Sequence, residues 1–351
     1  MSVATATLAG ACGAPARPAP IVRPLPDAQA ALWSPPEDAA ADAARAPLAF
    51  TPALVATCDA PPIPKDPGFR APDGGPPPER VRLEVPFGAD IKQTLDVAWP
   101  ESPGPHPIAV FVHGGGWTAG DKHLFWPTMR TLTERGFVAA SVNYRFARDE
   151  ARAFPVGMRD ARCGLAWLVT HAAELGGDPE RLVLIGASAG GHMAALLALT
   201  PDDPAFTSDC PTSKLEHLPV AGAIAYYAPL ELRDSATRYP PKMRQAVEEL
   251  LRVDGGPEDF EARAALATPA TRLGLGRPPP ILLVHGDADT VVPIDDSRSF
   301  KRALDAHGVP SLLVEVHDQG HGFAVLARKE PLLPATCTAW AFLDRVAARR
   351  P

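Results

Sequence analysis

The sequence predicts an α/β fold from Glu79 onward: a mostly parallel, eight-stranded sheet flanked by helices. Two observations carry this reading. Short β-rich runs alternate with longer helical runs, the pattern of an open α/β sheet. The central strands also read as unbroken apolar stretches (IAVFV, LVLI, ILLV), which is how strands buried on both faces look in sequence. Strands are expected at Val81–Val85, Thr94–Ala98, Ile108–Val112, Val138–Asn143, Leu182–Ile185, Ala221–Tyr227, Ile281–Val284 and Leu312–Val316. Helices are expected at Lys122–Arg135, Gly157–Leu175, Gly190–Leu199, Lys242–Leu251, Asp296–His307 and Pro334–Ala348. In such a sheet, ligands bind at the C-terminal ends of the strands.

The chain has 351 residues, 46% hydrophobic and 21% charged, enough to bury a large core. A net charge of −7 without a Lys/Arg block argues against a nucleic-acid partner. No apolar run approaches the roughly 18 residues of a membrane helix, so no transmembrane segment is expected. Proline is abundant, 42 residues, and seventeen of them precede residue 81. Proline lacks an N–H and fixes φ, so such a stretch favours extended, poorly packed chain. Residues 1–78 therefore read as an arm or linker, which could be laid partly on the body, and residues 79–351 as the folded domain. One helical candidate in the arm, Asp27–Trp33, is cut short by Pro35-Pro36.

The run Leu8-Ala9-Gly10-Ala11-Cys12 loosely resembles the end of a lipoprotein signal, although no positive region precedes it. A cytoplasmic location is slightly favoured, with an exported or lipid-anchored protein as the alternative. The five cysteines show no metal-binding spacing, and without Cys12 four remain, enough for two disulfides. No histidine–carboxylate cluster has metal spacing, so neither a metal nor another cofactor is expected.

Four motifs bear on chemistry. Leu182–Gly191 is a β-run, then Gly186-Ala187-Ser188-Ala189-Gly190, then a helical run, the context in which Gly-x-Ser-x-Gly makes a nucleophile elbow. His113-Gly114-Gly115-Gly116-Trp117 follows a strand directly, where glycines free backbone N–H groups to face a developing anion. Ile281–Val284 runs into a polar loop bearing Asp287 and Asp289, and His321 lies between glycines after Leu312–Val316. Ser, then Asp, then His is the triad order of one hydrolase fold and of no other Ser-His-Asp fold considered. By position alone Asp287, Asp289 and, more distantly, Asp318 compete for the acid.

Residues from about 80 to 348 resemble α/β-hydrolase-fold carboxylesterases of the HGGGW type, most of all the BD-FAE branch (feruloyl- and acetyl-xylan-esterase-like), near the hormone-sensitive-lipase and kynurenine-formamidase groups. HGGGWTAGDK (113–122), SVNYR (141–145), GASAGGH (186–192), HGDADTVVP (285–293) and GHGF (320–323) carry the resemblance. It implies an α/β-hydrolase fold with Ser188, Asp289 and His321 as the triad. Gly114, Gly115 and Ala189 would supply the oxyanion N–H groups, and Asp287 would cap its loop. The implied activity is hydrolysis of short-chain acyl or aryl esters through an acyl-enzyme, the partner being a small-molecule ester. An arylformamidase or other amidase, and a non-catalytic binding protein on the same fold, are the alternatives. Trp117 and Phe323 are expected to line the substrate pocket. His113, His192, His285 and His317 read as structural, Arg145 as a member of a buried ion pair, and Asp121 as a helix N-cap. Residues 227–264 read as either a small lid or a connecting helix, and 201–218 as a surface loop.

Overall fold

The computed structural model describes residues 54–70, 79–207, 215, 217–252 and 256–348. The Asp27–Trp33 candidate, Cys12 and Cys210 lie outside these residues. Among them, eight strands form one sheet: β1 (Val81–Pro86), β2 (Thr94–Ala98), β3 (His106–Val112), β4 (Val138–Val142), β5 (Gly177–Ala187), β6 (Val220–Tyr226), β7 (Ile281–Gly286) and β8 (Ser311–Val316). Their spatial order is β1-β2-β4-β3-β5-β6-β7-β8. β2 runs antiparallel to both β1 and β4, and every other pairing is parallel.

Eight α-helices are described: α1 (Trp126–Glu134), α2 (Val156–Thr170), α3 (Ala189–Leu199), α4 (Ser235–Arg238), α5 (Pro241–Leu250), α6 (Pro257–Ala267), α7 (Asp295–Ala306) and α8 (Leu333–Ala347). The apolar run of β3 divides by period two. On β3, Ile108, Val110 and Val112 join the core under α2, α3 and α7, through residues such as Met158, Leu196 and Phe300. Ala109 and Phe111 join the core under α1 and α8, with Met129, Leu132 and Trp340. Every residue of α3 is buried, which its composition AGGHMAALLAL permits because no face is polar beyond His192. Among the described residues no helix is long and apolar enough to cross a membrane.

The structure adds three features to the sequence reading. β5 starts at Gly177, five residues before the apolar run, because Gly177 and Asp178 pair with His106 and Pro107 across a bulge. The 227–264 segment carries three helices rather than one, with α6 extending to Ala267. Residues 54–70, within the expected arm, are docked on the α1/α8 face. Ala60 and Phe69 are buried there, Phe69 meets Trp126, and Val55 N–H donates to Thr338 Oγ1. A disulfide joins Cys58 to Cys337 on α8. For this stretch Glu79 is therefore too late a start for packed chain. Prolines leave few N–H groups needing partners, so an extended segment can lie on the body without joining the sheet.

Candidate active site

The loops after β3, β5, β7 and β8 carry the four motifs, and the parallel order of these strands brings their C-terminal ends to one edge. Ser188 sits between β5 and α3 at φ 55°, ψ −124°, a conformation that costs a non-glycine residue about 1–3 kcal/mol. The turn persists because both sides of it are packed. Ser188 N–H donates to Tyr226 O at 2.9 Å, and His192 N–H donates to Ser188 O at 3.0 Å. Gly190 lets α3 press against the end of β3: a Cβ there would lie 2.0 Å from Val112 O. This geometry points the hydroxyl outward and leaves the first N–H groups of α3 facing it.

His321 Nε2 lies 2.9 Å from Ser188 Oγ, and His321 Nδ1 lies 2.7 Å from Asp289 Oδ2. The Asp289 side chain is fully buried, and its Oδ1 accepts from Val291 N–H at 2.8 Å and Val292 N–H at 2.9 Å. Burial alone would raise this carboxyl. Hydrogen bonds from His285, His321 and the Val292 N–H outweigh it and hold Asp289 well below the usual carboxylate range. Asp287 is engaged elsewhere. It accepts from Asp318 N–H at 2.7 Å and pairs with His317 at 2.8 Å, which raises the His317 pKa and pins the start of the loop bearing His321. Asp318 makes no contact with His321, its nearest charged partner being His317 at 3.4 Å.

The glycine run passes alongside the serine, and a methyl group at Gly114 would sit 3.2 Å from Ser188 Cβ. Gly115 has φ 117°, open only to glycine, and its carbonyl accepts from Thr118 and Ala119 N–H groups. Among the described residues no acceptor takes the N–H of Gly114, Gly115 or Ala189. His113 braces this loop. Its ring stacks on Tyr144 with centroids 4.4 Å apart, its carbonyl accepts from the Tyr144 hydroxyl, and burial pushes its pKa down to about 4. Burial likewise pushes His192 to about 4, and its Nε2 donates to Ala267 O at 2.7 Å, tying α3 to the end of α6. Arg145 makes a two-pronged ion pair with the buried Asp160, and Asp121 accepts from His123 N–H at the head of a 3₁₀ turn.

The two expected pocket residues differ in setting. Trp117 is 3% exposed and lines a small cavity with Tyr144, Phe154, His192, Met193 and Leu250, a wall that includes no member of the Ser188–His321–Asp289 chain. Phe323 is half-buried and packs edge-on against Tyr227. In the 227–264 segment, α5 packs beside the glycine loop. A Cβ on Gly116 would lie 3.4 Å from Ala246 of α5, and Leu250 O accepts from Phe154 N–H. The segment is anchored below by Asp296, which is buried and accepts from Leu230 N–H, Arg238 and the Tyr239 hydroxyl.

Two residues beside His321 and Asp289 had no site role in the sequence: Tyr227, and His285, read there as structural. Tyr227 packs its ring 4.9 Å from that of His321 and donates its hydroxyl to Phe323 O, but an aromatic at a strand end carries no motif. His285 approaches Asp289; it opens the HGDADTVVP run, four residues before that aspartate. Folding also gathers Glu84, Asp96 and His123, residues far apart in sequence, within reach of a single ion. The buried Lys122 ammonium fills that role, 2.6 Å from Glu84 and 3.5 Å from Asp96.

Strand order, the turn at Ser188 and the His321–Asp289 pair together define an α/β-hydrolase fold. Solved structures agree. An esterase of Thermogutta terrifontis, determined phosphonylated by sarin, is 26% identical with a TM-score of 0.64, over 78% of this chain and 98% of that one. Esterase B from Lactobacillus rhamnosis, 22% identical, matches the fold with a TM-score of 0.63 over 77% of this chain and 87% of its own. The BD-FAE family model matches residues 95–304, and the chain belongs to that family. Among curated relatives, esterase LipC of Mycobacterium tuberculosis is 31% identical over 76% of this chain and 65% of its own length. Isoprenylcysteine α-carbonyl methylesterase of Arabidopsis thaliana is 28% identical over 69% and 57%. The match thus spans between about half and two thirds of the length of LipC and two further mycobacterial relatives.

Proposed function

We propose that this protein is a serine hydrolase of carboxylic esters working through an acyl-enzyme. The observation that carries the reading is the continuous chain from Ser188 Oγ through His321 to the buried Asp289, at 2.9 and 2.7 Å, beside a loop of unclaimed N–H groups. A serine hydroxyl is inert until a base takes its proton. His321 Nε2 is placed to take it as Ser188 Oγ attacks the ester carbonyl, and to return it to the departing alcohol oxygen. Asp289 keeps the proton on Nδ1 and stabilises the imidazolium. The N–H groups of Gly114 or Gly115, with that of Ala189, receive the oxyanion; losing one such donor costs about 3–4 kcal/mol of transition-state stabilisation. Water activated by the same histidine then releases the acid.

The substrate class we infer is a short-chain acyl or aryl ester. Support comes from the Thermogutta esterase, also solved with propionate bound. Names of several relatives point to ester hydrolysis generally. A panel of p-nitrophenyl esters of rising acyl length, with N-formylkynurenine alongside, tests this. The expected result is kcat/KM highest for acetyl to butyryl esters and falling for longer chains. A formamide rate above the best ester rate would replace the reading with an amidase.

A further inference from the structure

Asp289 is approached by two histidines. His321 Nδ1 donates to Oδ2 at 2.7 Å, and His285 Nε2 lies 3.3 Å from the same oxygen. His285 Nε2 also lies 3.0 Å from Val292 O. A carboxylate and a carbonyl only accept, so Nε2 must carry the hydrogen and share it between them. In the neutral ring Nδ1 then accepts from the Ser297 hydroxyl, 2.8 Å away on α7. His285, Ser297 and the Asp289 side chain are all fully buried.

We propose that His285, locked by Ser297, is a positioning residue for the triad acid: its Nε2–H holds Asp289 Oδ2 and sets both the aim and the basicity of the carboxylate that serves His321. The proposal rests on the triad reading given above. The resulting chain is Ser297–His285–Asp289–His321–Ser188, with one carboxylate between two histidines of which only one reaches the nucleophile. With this bond the carboxylate has four donors: the Val291 and Val292 N–H groups on Oδ1, and His321 and His285 on Oδ2. A buried carboxylate short of donors is both costly and more basic. Other charged or titratable groups around this pair are accounted for. Glu315 faces His285 across β8 but is bound to Arg298 at 2.6 Å. The Tyr227 hydroxyl is kept neutral by burial, reinforced by the Asp289 charge. Asp296, beside Ser297, is taken up by Tyr239 and Arg238.

The test uses His285→Leu, His285→Gln and Ser297→Ala in the full chain, with p-nitrophenyl acetate. His285→Leu removes the donor, so kcat should fall about 10–100-fold, as for loss of an outer-shell partner, with KM little changed. Asp289 becomes more basic and favours the imidazolium, so the acid limb of kcat/KM should move to higher pH by about half a unit or more. His285→Gln restores a donor and should recover most of the rate and the profile. If His285→Leu does not fold, Ser297→Ala must show a shift of the same sign. A folded variant with the wild-type pH profile, or a rate loss without a shift that Gln fails to rescue, overturns the proposal. Fluorophosphonate labelling of wild-type Ser188 separates the two levels. Without labelling the triad reading fails, and with labelling but unshifted profiles only the role of His285 fails.

Discussion

Replacing both Cys58 and Cys337 by serine removes a cross-link between residues 279 positions apart. The chain-entropy relation gives about 5–6 kcal/mol for a loop of that length, and measured losses for native disulfides run about 2–5 kcal/mol. Cys163 is disulfide-bonded as well, so the unfolded chain keeps another constraint and the lower range applies. For the roughly 280 residues the structure describes, unfolding entropy of about 2 cal/mol/K per residue converts ~2–5 kcal/mol into a fall in Tm of about 4–9 °C. None of Ala60, Ile63 and Phe69, which the disulfide helps seat, touches Ser188, Asp289 or His321. Esterase kcat at 25 °C should therefore stay within about two-fold of wild type while the melt moves, because global stability and local geometry separate when distant. Differential scanning calorimetry with parallel p-nitrophenyl acetate rates makes the comparison, after mass spectrometry confirms the cross-link in the wild type. An unchanged Tm would refute the reasoning that the 54–70 segment is an integral part of the fold.

Further outcomes follow from the site and the buried histidines. Asp289→Asn should lower kcat by about three to four orders of magnitude, and Asp287→Asn far less, since only Asp289 bonds His321; the reverse ranking in steady-state kinetics would move the acid. His113 and His192 fall from 6.5 unfolded to about 4 folded. Their stabilising share is present above about pH 6.5 and lost as pH falls, with each group costing about 2 kcal/mol by pH 5. Thermal melts should therefore drop steadily from pH 7 to pH 5, and a flat profile would contradict the burial of these rings. Deleting Met1–Ala71 removes Cys58 and Phe69 together, so its Tm should fall at least as far as that of the double serine variant; a Tm equal to or above that of the wild type would show that the docked segment adds nothing.

The sheet was legible because strands buried on both faces leave uninterrupted apolar runs, as at Ile108–Val112 and Ile281–Val284. Ser188, Asp289 and His321 were legible because tight turns at strand ends demand glycine and because chain order is distinctive. Choosing Asp289 over Asp287 needed the family resemblance, since both follow β7 and only three-dimensional reach distinguishes them. Helix α6 does show a proline at its start and Glu258 and Asp259 in its first turn, signals that its polar surroundings obscured. Tyr227 was hidden for a different reason: it meets His321 across loops that follow β6 and β8, and no local pattern encodes such a meeting. His285 reaches Asp289, Val292 and Ser297 within its own stretch after β7, where the sequence shows the spacing and not the direction of the ring.

The reading of this site stands on a covalent intermediate at Ser188. Rapid mixing of the enzyme with excess p-nitrophenyl acetate, quenched in acid and digested for mass spectrometry, tests it directly. An added acetyl group is expected on the peptide containing Ser188, accompanied by a p-nitrophenol burst where deacylation is slower than acylation, with no adduct in Ser188→Ala. Turnover by Ser188→Ala at more than about a tenth of the wild-type kcat, or an acetyl group on another residue required for turnover, would contradict it.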